Sequence, residues 1–210
     1  VKVIDLINYN GDLSNSAKAM ILSALERDQV LVYPTDTLYG LGVDACSQQA
    51  VDKLYLLKER EDSPISVLVQ STDLLIEMAE GLSSKARELI QTFLPGAMTV
   101  ICRSNYPFTS KLYSKNGTIG FRVPSDTISR MIPEILGRPV TTTSVNPMGQ
   151  TPANSLSQVR NYYGDELSLM LDIGPMDNSL GSTVVDLTSQ PFKILREGEI
   201  SRQSLQDFLN

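Results

Sequence analysis

The chain has 210 residues, 41% of them hydrophobic and 20% charged, with a net charge of −6 and no histidine. That length can enclose a sizeable core, and the composition argues against a membrane-spanning or a disordered chain. Without histidine the commonest general base, the serine and cysteine triads and the commonest metal ligand are gone, and the acidic balance argues against a protein that coats nucleic acid.

The N-terminal VKVIDLINYN starts like a strand and lacks the basic-then-apolar pattern of a signal peptide, so the expected compartment is cytoplasmic. Ala17, Met20, Ile21, Ala24 and Leu25 recur at helical spacing, and VLVYP at 30–34 reads as a buried strand. Gln48 to Lys58 sets Val51, Leu54 and Leu57 on one helical face before a second strand, ISVLVQ at 65–70. A further amphipathic helix carries Leu82, Ala86, Leu89, Ile90 and Phe93, is stopped by Leu94-Pro95-Gly96, and leads into the strand MTVICR. Asn116-Gly117 reads as a two-residue hairpin turn pairing the region before it with TIGFRV at 118–123. Ile128, Met131, Ile132, Ile135 and Leu136 give another helix, and PVTTTSV at 139–145 another strand. A short helix near 155–163, strands near 168–172, 182–187 and 192–196, and a terminal helix with Leu205, Phe208 and Leu209 complete the chain.

Interleaved helices and strands with at least one hairpin indicate one α/β domain over 1–210 with a mixed sheet. Polar clusters fall at predicted strand ends, where open α/β sheets gather ligands. The Walker loop, the GxGxxG fingerprint and the GxSxG elbow are absent from the sequence, so a nucleotide must be held by side chains. Lys58 and Arg60 stand two apart at a helix exit and can reach one phosphate chain, although a lone KxR is more often a solvated helix end. Thr35-Asp36-Thr37 reads first as a hydroxyl-rich turn. Gly40 and Gly42 around Leu41 permit close backbone approach or positive φ, and Ser144 and Asn146 alternate toward one face. Cys46 and Cys102 read as free thiols.

In order along the chain, PTDTLYGLG at 34–42, the Lys58-x-Arg60 pair, PISVLV at 64–69, LPGAMTV at 94–100, TIGFRVP at 118–124, Ser144-x-Asn146, STVVDLT at 182–188 and ILREG at 194–198 together resemble the YrdC/TsaC family of threonylcarbamoyl-AMP synthases. The resemblance spans nearly the whole chain. It implies a YrdC-like fold, an open twisted mixed parallel and antiparallel sheet flanked by helices around a concave ligand cavity, without the additional C-terminal domain of longer members. It also implies a reaction in which L-threonine, bicarbonate and ATP give threonylcarbamoyl-AMP and pyrophosphate, for N6-threonylcarbamoyladenosine at position 37 of tRNA.

By the same resemblance Lys58, Arg60, Ser144 and Asn146 are the expected catalytic set. ATP is expected at Lys58, Arg60, Thr118, Ser144, Asn146 and Arg196, and threonine at Thr35, Arg122, Thr142 and Ser182, with Arg122 suited to its carboxylate. Magnesium is expected with the ATP phosphates, with no protein ligand assigned. Downstream, a threonylcarbamoyl transferase complex is implied, with direct tRNA contact as one option. Glu61 and Asp62 follow Arg60 where the family often has proline, which puts negative charge beside the expected triphosphate. The alternatives are a YciO-like nucleotide- or RNA-binding paralogue of weak or no synthase activity, the carbamoylating domain of the hydrogenase maturation protein, and a non-enzymatic RNA-binding module.

Overall fold

Successive strand residues face opposite sides of a sheet, and in this chain both sets are largely apolar. In β2 (Leu31–Pro34), Leu31 and Tyr33 enter one core and Val32 the other; in β9 (Leu169–Asp172), Leu169 and Leu171 divide from Met170 in the same way. Such strands need cover on both faces. The computed structural model describes residues 1–9, 11–59, 63–164 and 166–209.

The remaining strands are β1 (Lys2–Asp5), β3 (Tyr39–Gly42), β4 (Ser66–Leu68), β5 (Ala79–Glu80), β6 (Met98–Ser104), β7 (Thr118–Arg122), β8 (Val140–Ser144), β10 (Thr183–Asp186) and β11 (Lys193–Arg196). Their order in the sheet is β1-β9-β2-β3-β8-β4-β7-β6-β10-β11, with β5 paired to β6 off that path. β1 with β9, β2 with β9, β4 with β7 and β6 with β10 run parallel, and the other pairs are antiparallel. The fold is thus the α/β mixed sheet flanked by helices.

The helices are α1 (Asn15–Glu26), α2 (Gln48–Leu57), α3 (Thr72–Met78), α4 (Ser84–Phe93), α5 (Thr127–Leu136), α6 (Leu156–Tyr163) and α7 (Arg202–Leu209). Serines 14, 47, 71 and 83 cap α1 to α4 by accepting from the backbone NH three residues on, and Asp126 does the same for α5. One face of the sheet carries the larger core, to which α2, α4 and α6 contribute Leu54, Leu89 and Val159. On the other face α1 and α5 bring Ile21, Leu25, Ile128 and Ile132 onto Leu31, Leu68 and Val140.

Three local expectations change. YGLG is strand β3, because Gly40 and Gly42 lie beside the Tyr33 ring: a Cβ at Gly42 would stand 2.6 Å from Tyr33 Cε1. The glycines serve close approach, and Tyr33 donates to the Thr141 carbonyl at 2.9 Å. The Asn116-Gly117 turn closes on Ser114, whose carbonyl accepts from Gly117 N; the antiparallel partner of β7 is β6, reached through the longer segment 105–117. Helix α3, capped by Ser71, was not anticipated because seven residues hold too few apolar repeats to show a period.

Candidate active site

One row of paired strand residues crosses the sheet as Val140, Leu68, Arg122, Thr99, Val184 and Arg196. Val140 and Leu68 lie under α1 and α5. From Arg122 onward the same face opens into a cavity of about 500 Å³, within the usual range for ligand sites. A neighbouring row supplies Thr142, Ser66, Gly120 and Ile101. Its floor is flattened by Gly120, where a Cβ would stand 2.5 Å from Ser66 Oγ and 3.2 Å from Thr99 Cγ2.

Among the described residues that line this cavity there are two arginines and no carboxylate. An acidic chain therefore presents a cationic, hydroxyl-rich interior. Arg122 Nη2 donates to Asp36 Oδ1 at 2.5 Å and to Thr37 Oγ1 at 2.6 Å, while its Nε is buried without a partner among the described residues. Asp36 Oδ2 accepts from Ser125 N and Oγ, so the residue read as a turn former is the counter-ion that fixes Arg122. Arg196 Nη2 donates to Ser182 O at 2.7 Å and Oγ at 3.2 Å, and Ser182 Oγ shares a 2.8 Å hydrogen bond with Thr99 Oγ1. Partial burial and the like charge of Arg122 depress the Arg196 pKa, a setting in which an anion is favoured.

The other expected positions divide. Thr35, Arg122, Thr142, Ser144, Ser182 and Arg196 all line the cavity. The Thr35 hydroxyl, however, also organises its own turn, donating to Leu38 O at 2.7 Å and accepting from Leu38 N. Lys58 caps the end of α2, where Glu59 takes a left-handed φ of 51°. It is buried, and its Nζ donates to Ser144 O at 2.7 Å and Asn146 O at 2.6 Å. Ser144 Oγ donates to Asn146 Oδ1 at 2.6 Å. Lys58 and the SxN pair, 86 and 88 residues apart, are thus one cluster that meets the cavity through Ser144, with Lys58 and Asn146 outside its lining. Thr118 stands apart at the far end of β7, bonded to Ser114 Oγ at 2.7 Å and outside the cavity lining. Arg60, Glu61 and Asp62 lie outside the described residues.

Sequence reading missed Ser66, Thr99, Thr37, Ser179 and Leu180 as lining residues. A signal was present for two of them: Ser66 and Thr99 are hydroxyls inside otherwise apolar strand runs, in phase with Thr142 and Arg122.

The sequence profile of the Sua5/YciO/YrdC family, described as telomere recombination, matches residues 23–198. The chain belongs to this family. A Mycobacterium tuberculosis relative, provisionally named threonylcarbamoyl-AMP synthase, is 33% identical over 189 residues, which are 90% of this chain and 87% of the relative. The Sua5 of Pyrococcus abyssi complexed with L-threonine superposes with a TM-score of 0.90 at 23% identity, over 99% of this chain and 61% of its own. The chain therefore spans about three fifths of that Sua5. YciO of Escherichia coli superposes with a TM-score of 0.83 at 23% identity, over 94% of this chain and 95% of its own. At such identity the two structures share the fold of the Sua5/YciO/YrdC family with this chain. Among the described residues no helix is long and apolar enough to cross a membrane.

Proposed function

We propose that this chain is an L-threonylcarbamoyladenylate synthase, converting L-threonine, bicarbonate and ATP into threonylcarbamoyl-AMP, pyrophosphate and water. The observation that carries the reading is the cationic cavity, with Arg122 and Arg196 on its floor and the Lys58-Ser144-Asn146 cluster at its edge. The proposal is consistent with the names of the M. tuberculosis relative and of the threonine-bound P. abyssi Sua5.

The chemistry requires positioning and charge neutralisation more than a covalent nucleophile. On this reading the threonine carboxylate lies against Arg122, whose guanidinium is already oriented by Asp36 and Thr37, with Thr35, Thr142 and Ser182 around the rest of the amino acid. Its amine adds to bicarbonate-derived carbon dioxide and the carbamate oxygen attacks the α-phosphorus as pyrophosphate leaves. Lys58, Arg60 and Arg196 bear on the nucleotide side with Ser144 and Asn146, and Thr118 is kept as an outer nucleotide-side position. Among the described residues no group of three or more His, Cys, Asp or Glu could hold a metal ion. Magnesium would be carried by phosphate oxygens and water and would supply further charge neutralisation there. The labile product is proposed to pass to a threonylcarbamoyl transferase complex acting on tRNA.

Pyrophosphate release by the purified protein tests this reading. Release that needs both L-threonine and bicarbonate, and is lost in Lys58→Ala and Ser144→Ala, is expected. ATP binding without release would point to a YciO-like nucleotide-binding protein.

A further inference from the structure

One cavity wall is made by Ser179, Leu180, Gly181 and Ser182, the end of an irregular stretch, 173–182, between β9 and β10. Leu180 lines the cavity yet is 76% exposed, so core packing does not hold it. Irregular backbone of this kind needs partners from elsewhere. At its start Tyr39 OH donates to Gly174 O at 2.8 Å, and in its middle Met176 N donates to Asn154 O at 2.7 Å. The wall itself is held by the segment after β11. Glu199 Oε1 accepts from Ser179 Oγ at 2.6 Å and Leu180 N at 2.8 Å, and Glu199 N donates to Gly181 O at 2.9 Å. Gly198 comes so close that a Cβ there would stand 2.3 Å from Gly181 O and 2.6 Å from Ser182 C. The same contacts hold the Glu199 carboxyl below its ordinary value.

We propose that Glu199 is a positioning residue for the amino-acid side of the cavity: by gripping Ser179 and Leu180 it sets Leu180 as an apolar lip and Ser182 as a polar wall around the bound amino acid. The inference rests on the synthase reading for its substrate. Ser182 is thereby fixed from two sides, by Arg196 on its carbonyl and hydroxyl and by Glu199 through the three residues before it. In these contacts Glu199, an exposed residue, bonds Ser179, Leu180 and Gly181, so its loss acts first on the amino-acid side and reaches Arg196 through Ser182. A carboxylate is not required for its charge; an oxygen acceptor at the Oε1 position suffices.

The test compares wild type, Glu199→Ala, Glu199→Gln and Ser179→Ala. Its readouts are KM and kcat for L-threonine and for ATP in pyrophosphate release, and hydrogen exchange of the 179–182 amides. In Glu199→Ala the KM for L-threonine should rise about tenfold, with the KM for ATP within about twofold and faster exchange confined to 179–182. Glu199→Gln, which keeps the acceptor, should return both readouts close to wild type. Ser179→Ala removes one of the two grips of the Glu199 side chain and also the 3.0 Å hydrogen bond that Gly181 N donates to Ser179 Oγ; it should raise the KM for L-threonine with faster exchange at 179–182, and serves if Glu199→Ala fails to fold. Unchanged exchange and KM in Glu199→Ala would overturn the proposal, as would a lowered kcat and melting temperature with KM unchanged. Should the wild type release no threonine-dependent pyrophosphate, the synthase reading fails by itself. Exchange at 179–182 then decides the clamp alone, restored in Glu199→Gln if it is right and unaltered in Glu199→Ala if it is wrong.

Discussion

The two halves of one sheet face lie on neighbouring strands in the same phase and end in opposite roles. Under α1 and α5 the face carries Leu31, Leu68 and Val140, and Ile132 and Leu25 close over them without solvent. Beyond Leu68 the row continues as Arg122, Thr99 and Val184, no helix among the described residues covers it, and the cavity lies there. A sheet face left bare must be polar to stay in water, and a concave polar face whose described lining carries guanidinium groups and hydroxyls but no carboxylate is suited to anions. Stability and the proposed ligand binding are thus separated along a single row, a division open to experiment from both sides.

The largest effect is expected from emptying the covered half. Ile132→Ala should cost about 2–5 kcal/mol of unfolding free energy, read by denaturant titration, with KM for either substrate unchanged. A shifted KM would show that the halves are coupled. Arg122→Lys is the converse: it keeps a cation near Asp36 but loses the planar fork, and kcat/KM for L-threonine should drop about 100-fold with little change in stability. A smaller change follows from Gly120→Ala, whose methyl group would press on Ser66 Oγ. Affinity for the cavity ligand should fall about tenfold by calorimetry, while the melting temperature shows whether Ser66 yields.

The smallest effect lies on the border. Asp126 caps α5, and burial raises its carboxyl pKa above the ordinary 3.8. The folded protein therefore holds that proton more tightly than the unfolded chain, so the group favours folding at low pH and its contribution is lost as pH rises from 3.8 through the raised folded value. Asp126→Asn keeps a capping oxygen and should flatten this part of the stability profile, by less than about 1 kcal/mol. An unchanged profile would mean that the Ser129 hydrogen bonds offset the burial.

Much of the fold was legible. The periodic runs of α1, α2, α4 and α5 and the apolar strands β2 and β8 fall where the spacing puts them, because long amphipathic segments fix their own period. β3 was not legible as a strand, since two of its four residues are glycines whose value lies in the Tyr33 ring beside them. In the site, the SxN pair could be picked out by its types, but its bonding to Lys58 spans 86 residues and leaves no local trace. Glu199 is the extreme case: an exposed glutamate in a polar stretch carries no sequence signal, and only the chain fold brings Ser179 and Leu180 to it.

By itself the sequence determined the longer elements and which chemical groups are available: an α/β chain without histidine, whose cations, hydroxyls and glycines stand in the order of the Sua5/YciO/YrdC family. The tertiary structure decided which of those groups meet. α1 and α5 cover one half of a sheet face and not the other, Asp36 binds Arg122, and Lys58 ties down Ser144 and Asn146. The reason is range: helical and strand periods are set by neighbours a few residues apart, whereas charge pairing and cavity shape are set by contacts between strands that the sheet order brings together.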